Sequence, residues 1–190
     1  MKLEVIERKA TAKSFPFPVL FIHGAWLGAW CWEENFMPYF AERGFDCYAF
    51  SLRGHGASDC EGYFHLTGCD DYVADLAEVV EQLGTDPVLI GHSMGGLVVQ
   101  RYLETHRAPA MVLLASVPPR GSFSSSMRFC RRHPKTFLKC LVTMNPRTLV
   151  ETPELARELS FSPDKKRRTM EASEPQVAQF RTKALKRQQA

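Results

Sequence analysis

Apolar residues in this 190-residue chain gather in short continuous runs, separated by stretches that repeat at helical spacing. The runs 19–22 (VLFI), 88–90 (VLI) and 110–115 (AMVLLA) lack polar alternation, the pattern of strands buried on both faces of a sheet. Residues 45–51 read as another strand, and residues 3–7, loosely alternating apolar and charged, as an edge strand. Between the strands lie three helical patterns. Residues 30–43 put Phe36, Met37 and Phe40 on one face and stop at Gly44. Residues 71–83 place Val73, Leu76, Ala77, Val80 and Leu83 at helical spacing before Gly84, and a third helix opens with Gly95, Gly96 and Leu97 and runs to about residue 105. This alternation predicts an α/β fold: a parallel sheet with right-handed crossovers and helices on both faces. In such sheets ligands bind at the carboxyl ends of the strands. His23, Arg53 and Ser93 each follow a predicted strand, so all three are expected on one rim.

Beyond Pro119 the strand signal stops. Residues 127–130, 134–143, 153–161, 163–171 and 176–188 read as short helices, several with start signals such as Thr152-Pro153 and Ser162-Pro163. Ser173 and Gln176 have capping-box spacing. Charge changes at the same place. Residues 1–120 carry 9 Lys+Arg against 15 Asp+Glu, net −6, whereas residues 121–190 carry 15 against 6, net +9. The division expected is therefore an α/β core over residues 1–120 and a basic helical layer over residues 121–190. A solvated helical surface explains that charge most simply; an acidic substrate, a membrane surface or docking on the acidic part are the functional readings.

Composition narrows the class. With 45% hydrophobic and 24% charged residues the chain suits a globular fold, and no apolar run approaches the ~20 residues that span a bilayer. The first residues, MKLEVIERKATAKSF, lack the apolar core of a signal peptide. Cys31, Cys47, Cys60, Cys69, Cys130 and Cys140 form no C-x-x-C pair, so neither a zinc site nor a redox motif is indicated. Free thiols in a reducing, cytoplasmic compartment are expected. No metal or organic cofactor is implied, and nucleic acid is not an expected partner.

The most informative stretch is 87–97, PVLIGHSMGGL. An apolar strand runs into Gly91-His92-Ser93-Met94-Gly95 and then into a helix, which is the G-x-S-x-G pattern in its strand–turn–helix context. A serine at the apex of so sharp a turn adopts a strained backbone conformation, and side chains two residues either side would collide with the turn, so glycine is required there. The hydroxyl is thereby exposed above the sheet. The first amides of the following helix, Met94 N–H foremost, are unpaired donors at a positive dipole end.

Together the strand followed by HGAW, the strand followed by SLRGHGAS, and the strand followed by GHSMGG resemble the α/β-hydrolase superfamily over residues 18–119. The resemblance implies a serine hydrolase of esterase, lipase or lysophospholipase type, with Ser93 as nucleophile and the Ala25 and Met94 amides as oxyanion-hole donors. It makes the helical segment 121–190 a cap that shapes an apolar acyl pocket, and a small ester with a hydrophobic acyl group the substrate. His23, His55 and His92 are read as packing or loop-organising residues, and so is Arg53.

In that family the acid and the histidine of the triad follow later strands. After Ser93 the only histidines here are His106 and His133 and the only aspartate is Asp164, none of them behind a predicted strand. The triad acid and base are thus unassigned. The expectation is a truncated hydrolase lacking the C-terminal strands, with weak or no activity; a catalytically inactive binding protein and a base supplied by His133 are the alternatives. Strand 110–115, left at the sheet edge, is expected to promote self-association.

Overall fold

Val19–Ile22 forms the centre of the structure, with every residue buried. Its side chains alternate between two cores: Leu20 and Ile22 face one, Val19 and Phe21 the other. Burial on both faces is why the run contains no polar residue. In the computed structural model, residues 1–60, 66–120 and 123–143 are described, with Thr148, Glu151, Thr152 and Leu155. They fall into two compact units that divide between Pro119 and Arg120.

In the first unit, five strands line up in the order β1-β3-β2-β4-β5. They are β1 (Val5–Arg8), β2 (Val19–Ile22), β3 (Cys47–Phe50), β4 (Val88–His92) and β5 (Met111–Leu114). β2 pairs in parallel with both β3 and β4, and β4 with β5. β1 alone is antiparallel, with Val5 opposite Phe50. The helices α2 (Cys69–Leu83) and α3 (Met94–Tyr102) pack on the face of Leu20 and Ile22 through Leu76, Val79, Val98 and Val99. The opposite face is covered by a 3-10 turn, Ala29–Trp32, and by α1 (Phe36–Ala41), through Trp32, Met37 and Ala41. The parallel sheet with helices on both faces is therefore present, bordered by one antiparallel strand.

Three expectations need correction. The helix expected over 30–43 is split into the 3-10 turn and the six-residue α1. Pro38 is the physical reason: it has no N–H and its ring clashes with the carbonyl four residues back, so it is tolerated only in a first turn and the helix cannot run back through Glu34. α3 starts at Met94, one residue before Gly95, and ends at Tyr102 rather than near Thr105; Gly95 and Gly96 are helical because tight packing overrides their low propensity. Third, β5 is not buried on both faces: Met111, Val112 and Leu113 are exposed. It pairs with β4 on one side, and among the described residues no strand covers the other.

The second unit contains α4 (Phe123–Arg132) and α5 (Pro134–Thr143), which pack on one another. His133 lies at their junction, its ring 4.9 Å from that of Phe129. Among the described residues no helix is long and apolar enough to cross a membrane. Of the helix expected over 153–161 only Leu155 is described, and those expected over 163–171 and 176–188, with Asp164, lie outside the described residues.

Candidate active site

Ser93 sits between β4 and α3 with φ +52° and ψ −114°. That conformation is costly for a residue with a side chain, of order 1–3 kcal/mol, and persists only where neighbours fix it. Here both backbone groups are held. Ser93 N–H donates to the Leu114 carbonyl at 3.0 Å, and its carbonyl accepts from Val117 at 3.0 Å and Gly96 at 3.1 Å. Gln100, on α3, secures the same segment by donating to the Val117 carbonyl at 3.1 Å and to Ser116 Oγ at 2.8 Å. The loop after β5 thus clamps the turn. Ser93 Oγ itself has no hydrogen-bond partner among the described residues.

Two glycines are explained by close approach. A Cβ at Gly91 would lie 2.6 Å from the Gly95 carbonyl, and one at Gly95 would lie 2.5 Å from the carbonyls of Ile22 and His23. These are main-chain neighbours that cannot swing away. The start of α3 is consequently pressed against the end of β2. The loop after β2 comes equally near, since a Cβ at Gly24 would be 3.0 Å from Ser93 Cβ and 2.9 Å from His92 Nδ1. Ala25 and Trp26 form the turn that follows, with Trp26 at φ +64°. Neither the Ala25 nor the Met94 amide donates to a described residue.

Of the described histidines near this turn, His23 and His55 bond to other groups. His23 is fully buried. Its Nε2 accepts the Leu52 N–H at 3.0 Å, so the proton is on Nδ1, which donates to the Gly24 carbonyl at 2.7 Å. Burial, with His55 close by, pushes its pKa down to about 3. His55 Nδ1 lies 3.1 Å from the Arg53 carbonyl, and burial lowers its pKa as it does that of half-buried His92. His106, beyond the far end of α3, stacks on Tyr102. A nine-residue helix separates it from Ser93 by roughly 13 Å.

Arg53 fixes the loop after β3. Its Nε and its terminal nitrogen donate to Asp75 Oδ1 at 2.9 and 2.6 Å, its backbone N–H donates to Asp75 Oδ2 at 2.9 Å, and a third side-chain bond of 3.1 Å reaches Asp71. Asp75 has no exposed surface. Its place beside Leu76 and Val79 on the buried face of α2 is the one sequence signal that a cation had to meet it. Sequence reasoning also passed over Gln100, Ser51 and Glu4. No local pattern marks them, since their partners are as many as 54 residues away.

The fold and this turn define the chain's class, and comparison with known proteins agrees. The model of the alpha/beta hydrolase family matches residues 19–188, and the chain belongs to that family. A non-heme haloperoxidase from Rhodococcus erythropolis is 40% identical over 106 residues, 54% of this chain and 38% of that protein. A bromoperoxidase from Bacillus anthracis superposes with a TM-score of 0.53 at 30% identity, covering 62% of this chain and 41% of its own. An esterase from Exiguobacterium antarcticum gives the same TM-score at 25% identity, covering 62% and 42%. The chain thus spans well under half the length of each of these relatives.

Proposed function

We propose that the chain carries the nucleophile half of a serine hydrolase acting on a carboxylic ester. Ser93 Oγ attacks the ester carbonyl, the Ala25 and Met94 amides hold the oxyanion, the alcohol leaves, and water hydrolyses the acyl-enzyme. The observation that carries this reading is the serine in a strained, doubly clamped conformation with an unbonded hydroxyl at the carboxyl end of a central strand. The loop holding Ala25 supports it by packing against Ser93 Cβ. Residues 121–190 act in this reading as a cap, whose apolar residues favour a hydrophobic acyl group of esterase, lipase or lysophospholipase substrates.

The identity of the base bears on how fast this proceeds. Among the described histidines of the first unit, His23 has no free lone pair, burial lowers the basicity of His55 and His92, and His106 is a helix length away. Those observations favour weak turnover, and they favour as a second reading a catalytically inactive α/β-hydrolase-fold binding protein. Release of p-nitrophenol from p-nitrophenyl butyrate distinguishes the two. The hydrolase reading expects slow release that disappears in Ser93→Ala; release equal in both proteins, or none in either, favours the binding protein.

A further inference from the structure

The residues 24–29 that carry the Ala25 amide are pinned at both ends by the segment after β3. At the near end, the Leu52 N–H holds His23. At the far end, the Ala29 N–H donates to Ser51 Oγ at 2.8 Å. Ser51 is fully buried, and its hydroxyl proton goes to Glu4 Oε2 at 2.6 Å. The same carboxylate oxygen accepts the Ala57 N–H at 2.9 Å. Backbone bonds tie the pair further: Ser51 N–H donates to the Glu4 carbonyl at 2.9 Å, and Glu4 N–H donates to Ser58 Oγ at 2.8 Å. A Cβ at Gly28 would lie 3.1 Å from Ser51 Oγ, so the loop backbone rests directly on the hydroxyl.

We infer that Glu4 and Ser51 are a positioning pair that sets the oxyanion loop, an inference that rests on the proposed role of the Ala25 amide. The chemistry requires a hydroxyl at position 51. Glu4 Oε2 accepts and Ala29 N–H donates, and a hydroxyl does both; by giving its proton to Glu4, Ser51 directs a lone pair at Ala29. Between the two pins lies Trp26 at φ +64°, a conformation that a free loop relaxes. Releasing Ala29 therefore lets the turn, and Ala25 with it, move away from Ser93. Neither Glu4 nor Ser51 has a bond to Ser93, so their action is indirect.

The test compares Ser51→Ala, Glu4→Ala and Glu4→Gln with the unaltered chain. In Glu4→Gln the side-chain oxygen still accepts both bonds, so this variant should behave as the parent. The first readout is residue-resolved amide hydrogen exchange and amide chemical shift. Ser51→Ala and Glu4→Ala are expected to speed exchange at Ala29 and to shift the Ala25 and Trp26 amides, with Leu20 and Ile22 in the sheet unchanged. The second is the rate of phosphonylation of Ser93 by an activated aryl phosphonate. Displacing an oxyanion donor should lower it about tenfold or more in those two variants. Unchanged exchange at Ala29 overturns the inference, as does faster exchange that includes Leu20 and Ile22, which marks general loosening. Release of Ala29 with an unaltered rate at Ser93 overturns it too. If Ser93 in the unaltered chain does not react at all, the hydrolase reading fails, while the exchange data still decide whether the pair sets the loop. Should Ser51→Ala not fold, Glu4→Ala against Glu4→Gln makes the same comparison.

Discussion

His23 and Leu52 are joined by a hydrogen bond in which the buried imidazole Nε2 is the acceptor, at 3.0 Å. The bond exists only while the ring is neutral. Its consequence is a pH dependence with a definite sign. The folded-state pKa is pushed to about 3 from an ordinary 6.5, so the unfolded chain binds a proton that the folded chain does not. His23 thus contributes stability that is complete above pH 6.5 and is lost progressively as pH falls toward 3. His23→Gln should be less stable at pH 7.5 yet lose less on acidification from pH 6.5 to 4. Urea midpoints across that range check this, and parallel curves for the two proteins contradict it.

Arg53 and Asp75 give a second expectation. Removing one member leaves the other charge in a site built for a pair, and Asp75 has no exposed surface. Arg53→Met, which leaves the buried Asp75 carboxylate without its cation, should cost about 3–5 kcal/mol in unfolding free energy, the usual effect of breaking a buried pair. A double replacement, Arg53→Met with Asp75→Leu, should recover most of that loss. Chemical denaturation of the two variants measures it, and a cost under about 1 kcal/mol for Arg53→Met would show that the pair behaves as a surface bridge.

These two pairs show where the sequence was readable. β2 and the turn at Ser93 were legible because their constraints are local: a four-residue apolar run, and glycines that a main-chain neighbour excludes. Gly91 and Gly95 announce a close approach without saying to what. The partners that fix Ser93, Leu114 and Val117, and those that fix the loop at Ala29, Ser51 and Glu4, are brought together only by the order of the strands. Pro38 was a local signal too, and it explains why the helix expected over 30–43 is broken. The edge position of strand 110–115 followed from the order of the elements, but AMVLLA has the same composition whether or not its faces are covered, so the exposure of its side chains was not legible.

That exposure carries its own expectation. Met111, Val112 and Leu113 are 49%, 42% and 36% exposed on an edge that no described strand pairs, a template for pairing with another chain. The protein should associate as its concentration rises, and Val112→Lys should suppress this by placing a charge on the edge. Light scattering over a concentration series checks it. A parent chain that stays monomeric at the highest concentration would contradict the expectation.

The central proposal is that Ser93 is a nucleophile held in place, with no described histidine hydrogen-bonded to its hydroxyl. Loss of the triad histidine in a serine protease costs about 10⁶ in turnover and leaves ~10³–10⁴ over water. The most direct measurement is reaction with a fluorophosphonate, followed by peptide mapping and a time course. The account predicts slow formation of a single phosphonyl adduct at Ser93, absent in Ser93→Ala. An adduct that persists in Ser93→Ala, no adduct after prolonged exposure, or rapid stoichiometric labelling abolished by His133→Ala would each contradict it.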